Sequence, residues 1–245
     1  RLEELSGLQQ KYACLAESPL QSHITEDEIS KGLLKFKNFF CSIEDFSIEN
    51  LIGKGGFSEV YKGVHKQTSK VVAIKKLTMT RIDQTLYGCI LREIEIFTKL
   101  NHFAILPFIG LSEKPPFIIV SEYIPGGNLF DRLSSKTKPL TPTKKTIIAL
   151  GIALGMQHMH DKGFIHRDLK TLNVLLTADD YPQICDFGIS REVSDTMTGN
   201  IGTPNWMAPE VIECKPYGTK ADVFSYGIML WEMLTCQKPY RGLKN

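Results

Sequence analysis

With 245 residues, 42% hydrophobic and 23% charged, the chain is long enough for two modest lobes or one large domain, and its balance is that of an ordinary folded protein. A net charge of +2 without a long basic block argues against a dedicated nucleic-acid surface. Cys14, Cys41, Cys89, Cys185, Cys214 and Cys236 are scattered with no C-x-x-C pair, so a metal cage or disulfide framework is disfavoured and a reducing, cytoplasmic location is expected. The apolar run 146–156 falls well short of the roughly 20 residues of a membrane helix, so no membrane segment is expected. The chain opens on Arg1 and not Met, the expectation for a fragment or processed product.

Residues 1–45 read as a helical N-terminal extension. Leu2, Leu5, Leu8, Tyr12 and Leu15 recur at helical spacing until Ser18-Pro19 breaks the run. Thr25-Glu26-Asp27-Glu28 has the form of a capping box, followed by an apolar stripe of Ile29, Leu33, Phe36 and Phe40. Two readings stay open for this extension: helices packed on the next domain, or an interaction segment for a partner.

From Phe46 the pattern turns to short β-rich runs. Residues 46–52 lead into Gly53-Lys54-Gly55-Gly56-Phe57-Ser58-Glu59-Val60. A dinucleotide fingerprint would open into a helix, but Val60, Tyr61 and Val64 are β-formers, 66–69 is a turn and 70–75 another strand. The glycines therefore sit in a β-hairpin, whose backbone can fold over phosphates; no G-x-x-x-x-G-K-[ST] is present. Val72-Ala73-Ile74-Lys75 is a strand, and a lone strand lysine is ordinarily just solvated. Residues 82–100 have helical periodicity through Leu86, Ile90, Ile94 and Phe97; Glu93 lies on the edge of that apolar face and Glu95 about 200° away. Residues 117–120 form a buried strand ending at Ser121-Glu122-Tyr123-Ile124-Pro125-Gly126-Gly127, a polar-to-glycine transition suited to a hinge.

Residues 129–133 open a helix, and 143–162 form a strong one, with Ile147, Leu150, Leu154, Met156 and Met159 expected in the core. His158 and His160, two apart on that helix, point to different sides and read as ordinary helix residues. Then come His166-Arg167-Asp168-Leu169-Lys170-Thr171-Leu172-Asn173 and, thirteen residues after Asn173, Asp186-Phe187-Gly188. Between them 174–176 and 182–184 form a β-pair. Both motifs place ionisable or metal-binding oxygens on short turns between apolar runs. Phosphoryl transfer needs such groups: a carboxylate to receive a hydroxyl proton, a cation for the moving phosphate and two oxygen ligands for Mg²⁺. A polar stretch follows to Gly199, then Gly202-Thr203-Pro204-Asn205-Trp206-Met207-Ala208-Pro209-Glu210. The helix 221–234 is apolar but carries Asp222 near its start, a costly placement unless that carboxylate is bonded.

H-R-D-L-x-x-x-N followed by D-F-G, with A-P-E beyond, resembles the protein kinases. The resemblance covers roughly residues 46–241. With Lys170 two residues after Asp168, the Gly-Thr-Pro-Asn-Trp run and Leu-Trp-Glu-Met-Leu-Thr, it is closest to the tyrosine-kinase-like branch of Ser/Thr kinases. It implies an α+β, bilobal fold over 46–245: a small β-rich N-lobe (46–121) with one regulatory helix, and a mainly helical C-lobe (122–245). That C-lobe is truncated relative to the family, whose further helices supply a partner for Glu210, so the protein is expected to continue beyond residue 245.

The implied function is ATP-dependent transfer of a γ-phosphate to Ser/Thr of protein substrates, with ATP and Mg²⁺ as cofactors and an upstream kinase as a possible partner. Gly53, Gly55 and Gly56 would approach the β- and γ-phosphates, with Ser58 standing where the family has a third glycine. Lys75, nineteen residues past Gly56, would hold the α- and β-phosphates and be held by Glu93, which stands nine residues before His102. Ile52, Val60, Ala73 and Leu175 would line the adenine pocket, Ser121 would guard its rear, and backbone groups of Glu122 and Ile124 would bond the base. Asn173 and Asp186 would carry two Mg²⁺ ions. Asp168 would deprotonate the attacking hydroxyl and Lys170 would stabilise the transferring phosphate, while Asp222 would accept hydrogen bonds from the catalytic-loop backbone. Thr196 and Thr198 (then Ser190 and Ser194) are candidate activating phosphosites facing Arg167, and Thr203 is expected in the substrate site. The alternative, an inactive pseudokinase or scaffold binding partner proteins, would need a missing lysine, base or Mg²⁺ ligand, and none is missing.

Overall fold

Alternating β-branched residues make 71–77 a strand with two unlike faces: Val72 and Ile74 are fully buried, while Ala73 and Lys75 point the other way. In the computed structural model, which describes residues 23–55, 58–78, 82–188, 190–192 and 202–241, this strand is the centre of a five-stranded antiparallel sheet. The strands are β2 (Phe46–Lys54), β3 (Ser58–His65), β4 (Val71–Leu77), β6 (Phe108–Leu111) and β7 (Ile118–Glu122), in the order β2-β3-β4-β7-β6. Phe46, Val72, Ile74, Ile118 and Val120 form the core on one side, with Cys41, Ile43 and Ile109 packed against it. Burying each such side chain stabilises by about 1.5–3 kcal/mol.

Ahead of the sheet, β1 (His23–Ile24) pairs antiparallel with β5 (Ile82–Asp83), and α1 (Glu26–Leu33) begins at Thr25. The expected capping box is formed: Thr25 N–H donates to Glu28 Oε2 (2.8 Å) and Glu28 N–H to Thr25 Oγ1 (3.3 Å). Beyond Leu33 the chain tightens to a 3₁₀ turn over Leu34–Phe39, so the apolar stripe runs through Ile29, Leu33 and Phe36, and Phe40 instead bridges to Leu111 at the sheet edge. A second 3₁₀ turn, Ile43–Asp45, leads into β2, and α2 (Gln84–Lys99) follows β5. The expected helix at 2–15 lies outside the described residues.

Burial holds the Cys41 thiol high, with Asp45 adding to the effect, so its pKa is pushed up to about 11 from 9.0. Such a thiol is almost wholly protonated at pH 8. Iodoacetamide at pH 8 is therefore expected to label the exposed Cys214 and Cys236 well before Cys41 in folded protein; equal rates would contradict this. Because the folded pKa lies above the unfolded one, the thiol's stabilising contribution is whole below the unfolded pKa and is lost as pH rises through about 11.

Of the described residues, 23–98 and 107–123 belong to this sheet unit, and 99–106 with 124–241 form a second, mainly helical unit. Its elements are α3 (Leu129–Ser134), α4 (Pro142–Asp161), β8 (Phe164–Ile165), β9 (Val174–Leu176), β10 (Pro182–Ile184), β11 (Arg191–Glu192), α5 (Pro209–Ile212) and α6 (Lys220–Thr235). Strands β9 and β10 pair in antiparallel register, as do β8 and β11. Arg132 and Asp180 (3.1 Å) tie α3 to the turn between β9 and β10.

The buried face of α4 differs from the sequence expectation. It carries Ile148, Gly151, Ile152, Gly155, Met156 and Met159, whereas Ile147, Leu150 and Leu154 are exposed, Leu150 by 59%. The cause is the pair of glycines: a Cβ at Gly151 would lie 2.6 Å from Pro182, and one at Gly155 2.8 Å from Ile184. The β9–β10 pair can approach only that side. A helix apolar all round has no periodicity to reveal which side will be chosen. On α6, Val223 and Leu234 are likewise exposed, by 61% and 77%. Among the described residues no helix is long and apolar enough to cross a membrane.

Candidate active site

In the sheet unit, the hairpin and strand register collect the expected nucleotide residues on one face. Gly53 stands opposite Val60, Val60 opposite Lys75, and Ala73 opposite Ser121. Cross-strand partners share a face, so pleating alone places Val60, Lys75, Ala73 and Ser121 together. Gly55 N–H donates to Ser58 O (2.8 Å), closing the hairpin tip; Gly56 lies outside the described residues. Ile52 is exposed and Ser121 buried. The Lys75 ammonium donates to both oxygens of Glu93, at 2.6 and 2.8 Å. The Glu93 carboxylate is almost fully buried, so this pair is made at the cost of desolvating the acid. Glu95, on the outer side of α2, meets Lys35 instead at 3.5 Å.

In the helical unit, the loop after β8 is bent by Arg167, whose φ of 69° is left-handed. For a non-glycine residue this costs about 1–2 kcal/mol, so something must hold it. Asp222 does: its Oδ2 accepts the His166 N–H (2.8 Å) and its Oδ1 the Arg167 N–H (2.9 Å). The buried acid that looked anomalous in α6 is therefore bonded, and it clamps the catalytic loop. That bend presents Asp168 to three donors. Thr203 O–H donates to its Oδ1 (2.6 Å), Lys170 Nζ to its Oδ2 (2.9 Å), and Asn173 Nδ2 to its Oδ2 (3.0 Å) and main-chain O (2.8 Å). Lys170 also donates to Thr203 Oγ1 at 2.7 Å. Gly202, next to Thr203, has φ 134°, and a Cβ there would lie 2.7 Å from Arg167 O, so the close approach of the two loops needs glycine.

Residues 46–245 match the family model described as the protein kinase domain. The chain belongs to the protein kinase family. Serine/threonine-protein kinase STY46 of Arabidopsis thaliana is 42% identical over 192 residues, covering 77% of this chain and 33% of that protein. Serine/threonine-protein kinase TNNI3K of Homo sapiens is 39% identical over 217 residues, 84% of this chain and 26% of that one. Serine/threonine/tyrosine-protein kinase HT1 of Arabidopsis thaliana is 36% identical over 231 residues, 88% of this chain and 56% of that one. These relatives agree with the tyrosine-kinase-like branch that the motifs resemble. The kinase domain thus spans about a third or less of the length of the first two.

Other residues of the expected site lie within one unit or the other. In the sheet unit Glu122 donates its N–H to Pro107 O (2.9 Å), so any base contact by Glu122 falls to its carbonyl. In the helical unit Ile124 is buried, and Leu175 bridges to Asn128 and faces Gln183 in the β9–β10 register. Cys185 N–H donates to Asn173 O (3.0 Å), bringing the residue before Asp186 against Asn173. Asn173 and Asp186 suit Mg²⁺ by chemistry, since both offer hard oxygen donors. Both Asn173 amide protons are spent on Asp168, turning its Oδ1 away from that carboxylate. Among the described residues no group of three His, Cys, Asp or Glu could hold a metal alone.

Two site-supporting residues escape sequence reasoning. His160 is more than an ordinary helix residue: its Nε2 lies 2.8 Å from Asp222 Oδ2, bracing the clamp, while His158 stacks on His102 at 5.1 Å. Glu232, almost fully buried in α6, accepts from Trp206 Nε1 (2.7 Å) and Thr171 Oγ1 (3.2 Å), linking Trp206, three residues past Thr203, to the catalytic loop. Burial raises its carboxyl pKa, against the opposing pull of those two donors. Its signal was a second acid ten residues after Asp222 in an otherwise apolar helix. Ser190 is fully buried and donates to His166 O (2.9 Å), which removes it as an accessible phosphosite. Thr196, Thr198 and Ser194 lie outside the described residues.

Proposed function

We propose that this domain transfers the γ-phosphate of ATP to serine or threonine hydroxyls of protein substrates. The observation that carries the reading is the Thr203–Asp168 contact: a hydroxyl hydrogen directed at a buried carboxylate oxygen at 2.6 Å, with the Lys170 ammonium 2.7 Å from the same hydroxyl. A substrate hydroxyl in place of Thr203 would lose its proton to Asp168 as its oxygen bonds to the γ-phosphorus, while the bond to the β–γ bridging oxygen breaks and ADP leaves. Lys170 then offsets negative charge on the moving phosphoryl group. Lys75, fixed by Glu93, holds the α- and β-phosphates beneath the backbone of Gly53, Gly55 and Gly56. Ile52, Val60, Ala73, Ser121 and Glu122 of the sheet unit, and Ile124 and Leu175 of the helical unit, are the residues assigned to adenine. Asn173 and Asp186 would hold Mg²⁺, which would supply charge neutralisation of the phosphates.

With γ-labelled ATP and a casein-type substrate, the full-length protein is expected to place label on phosphoserine and phosphothreonine. Label on tyrosine alone, or ATP binding without transfer, would overturn the reading; the latter is the scaffold alternative. A reducing cytoplasmic setting is part of the proposal, and it fits Cys41, Cys89, Cys185, Cys214 and Cys236, none of which is in a disulfide.

Control through the activation loop is proposed on the Arg167 guanidinium, which is buried beside Tyr217 (3.2 Å to its hydroxyl) and directly precedes Asp168. A phosphate on Thr196 or Thr198, added by an upstream kinase or by the protein itself, would pair with it. Replacing both threonines by alanine is expected to lower kcat roughly tenfold, the worth of about one charge-assisted hydrogen bond. Peptide mapping of active protein that finds both unmodified would contradict this.

A further inference from the structure

Residues 23–41 lie outside the stretch that matches the family model, yet they touch α2 along most of its length. Strand β1 pairs with β5, which feeds directly into α2. Tyr87, in the first turn of α2, donates its hydroxyl hydrogen to Glu28 O (3.0 Å). The Tyr87 ring occupies the space a side chain on Gly32 would need: a Cβ there would overlap the hydroxyl and come within 2.9 Å of Cζ, with Leu91 Cδ1 at 3.6 Å. Lys35 meets Glu95 at 3.5 Å. Farther on, the Phe39 ring packs against Phe108 (5.3 Å), and Phe108 stacks on Phe97 of α2 at 5.4 Å. Two anchors tie the same segment to the sheet: Ser30 Oγ donates to Glu113 O (2.9 Å) and Cys41 N–H to Leu111 O (2.9 Å).

Tyr87, Leu91 and Glu95 recur every four residues and form one stripe of the helix. Glu93 stands about 200° round from Leu91, on the side that reaches Lys75. The helix is thus held between two surfaces: the extension on one stripe and Lys75 on another. The Lys75–Glu93 attraction is a poor anchor by itself, because the Glu93 carboxylate is desolvated and that penalty offsets most of the Coulomb gain. Packing of Ile29, Leu33 and Phe36 carries no such penalty.

We propose that residues 23–41 are a positioning segment of this kinase: by gripping the Tyr87–Leu91–Glu95 stripe through Gly32, they hold Glu93 against Lys75. Gly32 and Tyr87 are positioning residues, and the proposal rests on the role assigned to Lys75 and Glu93 above. It makes residues 23–41 part of the catalytic unit.

The test is Gly32→Ala in full-length protein. Alanine favours α1 itself, so a general loss of helix stability is not its expected effect; its methyl group can be accommodated only by moving Tyr87. The expected result is a fall in kcat/KM for ATP of about tenfold, with the melting temperature kept. Ser30→Ala/Tyr87→Phe, which adds no bulk and removes only two hydrogen bonds, is expected to give a fall of about threefold, and it decides the matter if Gly32→Ala does not fold. A merely structural segment is separated from a positioning one by repeating both in the Glu93→Gln background, where each effect is expected to shrink below about twofold. Effects that multiply with Glu93→Gln, or variants with wild-type kcat/KM, would overturn the proposal. Unchanged kcat/KM in Glu93→Gln alone would instead overturn the role of the ion pair, and the positioning proposal with it.

Discussion

Lys75→Met is expected to lower kcat/KM for ATP by about a thousandfold, equivalent to roughly 4 kcal/mol of transition-state stabilisation. The methionine keeps the volume and the apolar stem but removes the ammonium that the Glu93 carboxylate holds at 2.6 and 2.8 Å. Two losses combine. The phosphates lose a fixed cation, and Glu93, almost fully buried, is left without that cation. Lys75→Arg is expected to fail nearly as badly, since the longer, planar guanidinium would pair with Glu93 bidentately and carry its spread charge away from the place of the compact ammonium. Steady-state kinetics with ATP as varied substrate checks both, and activity within tenfold of wild type in Lys75→Met would reject the assignment.

Asp222→Ala is expected to cost about 3–5 kcal/mol of stability, of the size seen when a buried charged acceptor is removed from its partners. The carboxylate accepts from His166 N–H and Arg167 N–H and lies 2.8 Å from His160 Nε2. Alanine orphans two buried backbone donors and releases the left-handed bend at Arg167, whose φ is 69°. At about 2–4 °C per kcal/mol, thermal unfolding should fall by roughly 10 °C. Phosphotransfer should fall further than stability explains, by about a hundredfold at a temperature where the variant is still folded, because Asp168 stands directly after the released bend. Asp222→Asn keeps one acceptor oxygen and is expected to lose about half as much stability. Denaturant unfolding and initial rates on the same samples check the pair; an alanine variant with wild-type stability would show that the clamp is dispensable.

What was legible in the sequence is what depends on chain-local chemistry. The capping box at Thr25, the β-hairpin around Gly53 and Gly55, and the pairing of 174–176 with 182–184 each follow from a few adjacent residues. Helical geometry separates Glu93 from Glu95 by about 200°, and the pairing of Lys75 with Glu93 is what the kinase resemblance implies. For Asp222 the residues say only that an acid in an apolar helix needs donors; that these come from the 166–168 backbone is what the kinase resemblance implies.

Features that depend on a distant neighbour were not legible. The core face of α4 is set by Pro182 and Ile184 meeting Gly151 and Gly155, and an all-apolar helix gives no hint of it. His160 looked ordinary because its partner, Asp222, is sixty-two residues away. Glu232 was hidden in the same way, its donors Trp206 and Thr171 coming from two separate loops. The grip of the extension on α2 depends on a single missing side chain, at Gly32, opposite Tyr87.

The central claim, that Asp168 receives the proton of an attacking hydroxyl, is tested most directly by Asp168→Asn at saturating ATP. The amide replaces the carboxylate with little change of shape, and the change leaves Lys75 and Glu93 intact. The rate of phosphoryl transfer to a serine or threonine substrate is expected to fall by about a thousandfold or more, while the ATP Kd, measured on the same preparation, stays within about threefold of wild type. A transfer rate within tenfold of wild type at matched ATP occupancy would contradict it.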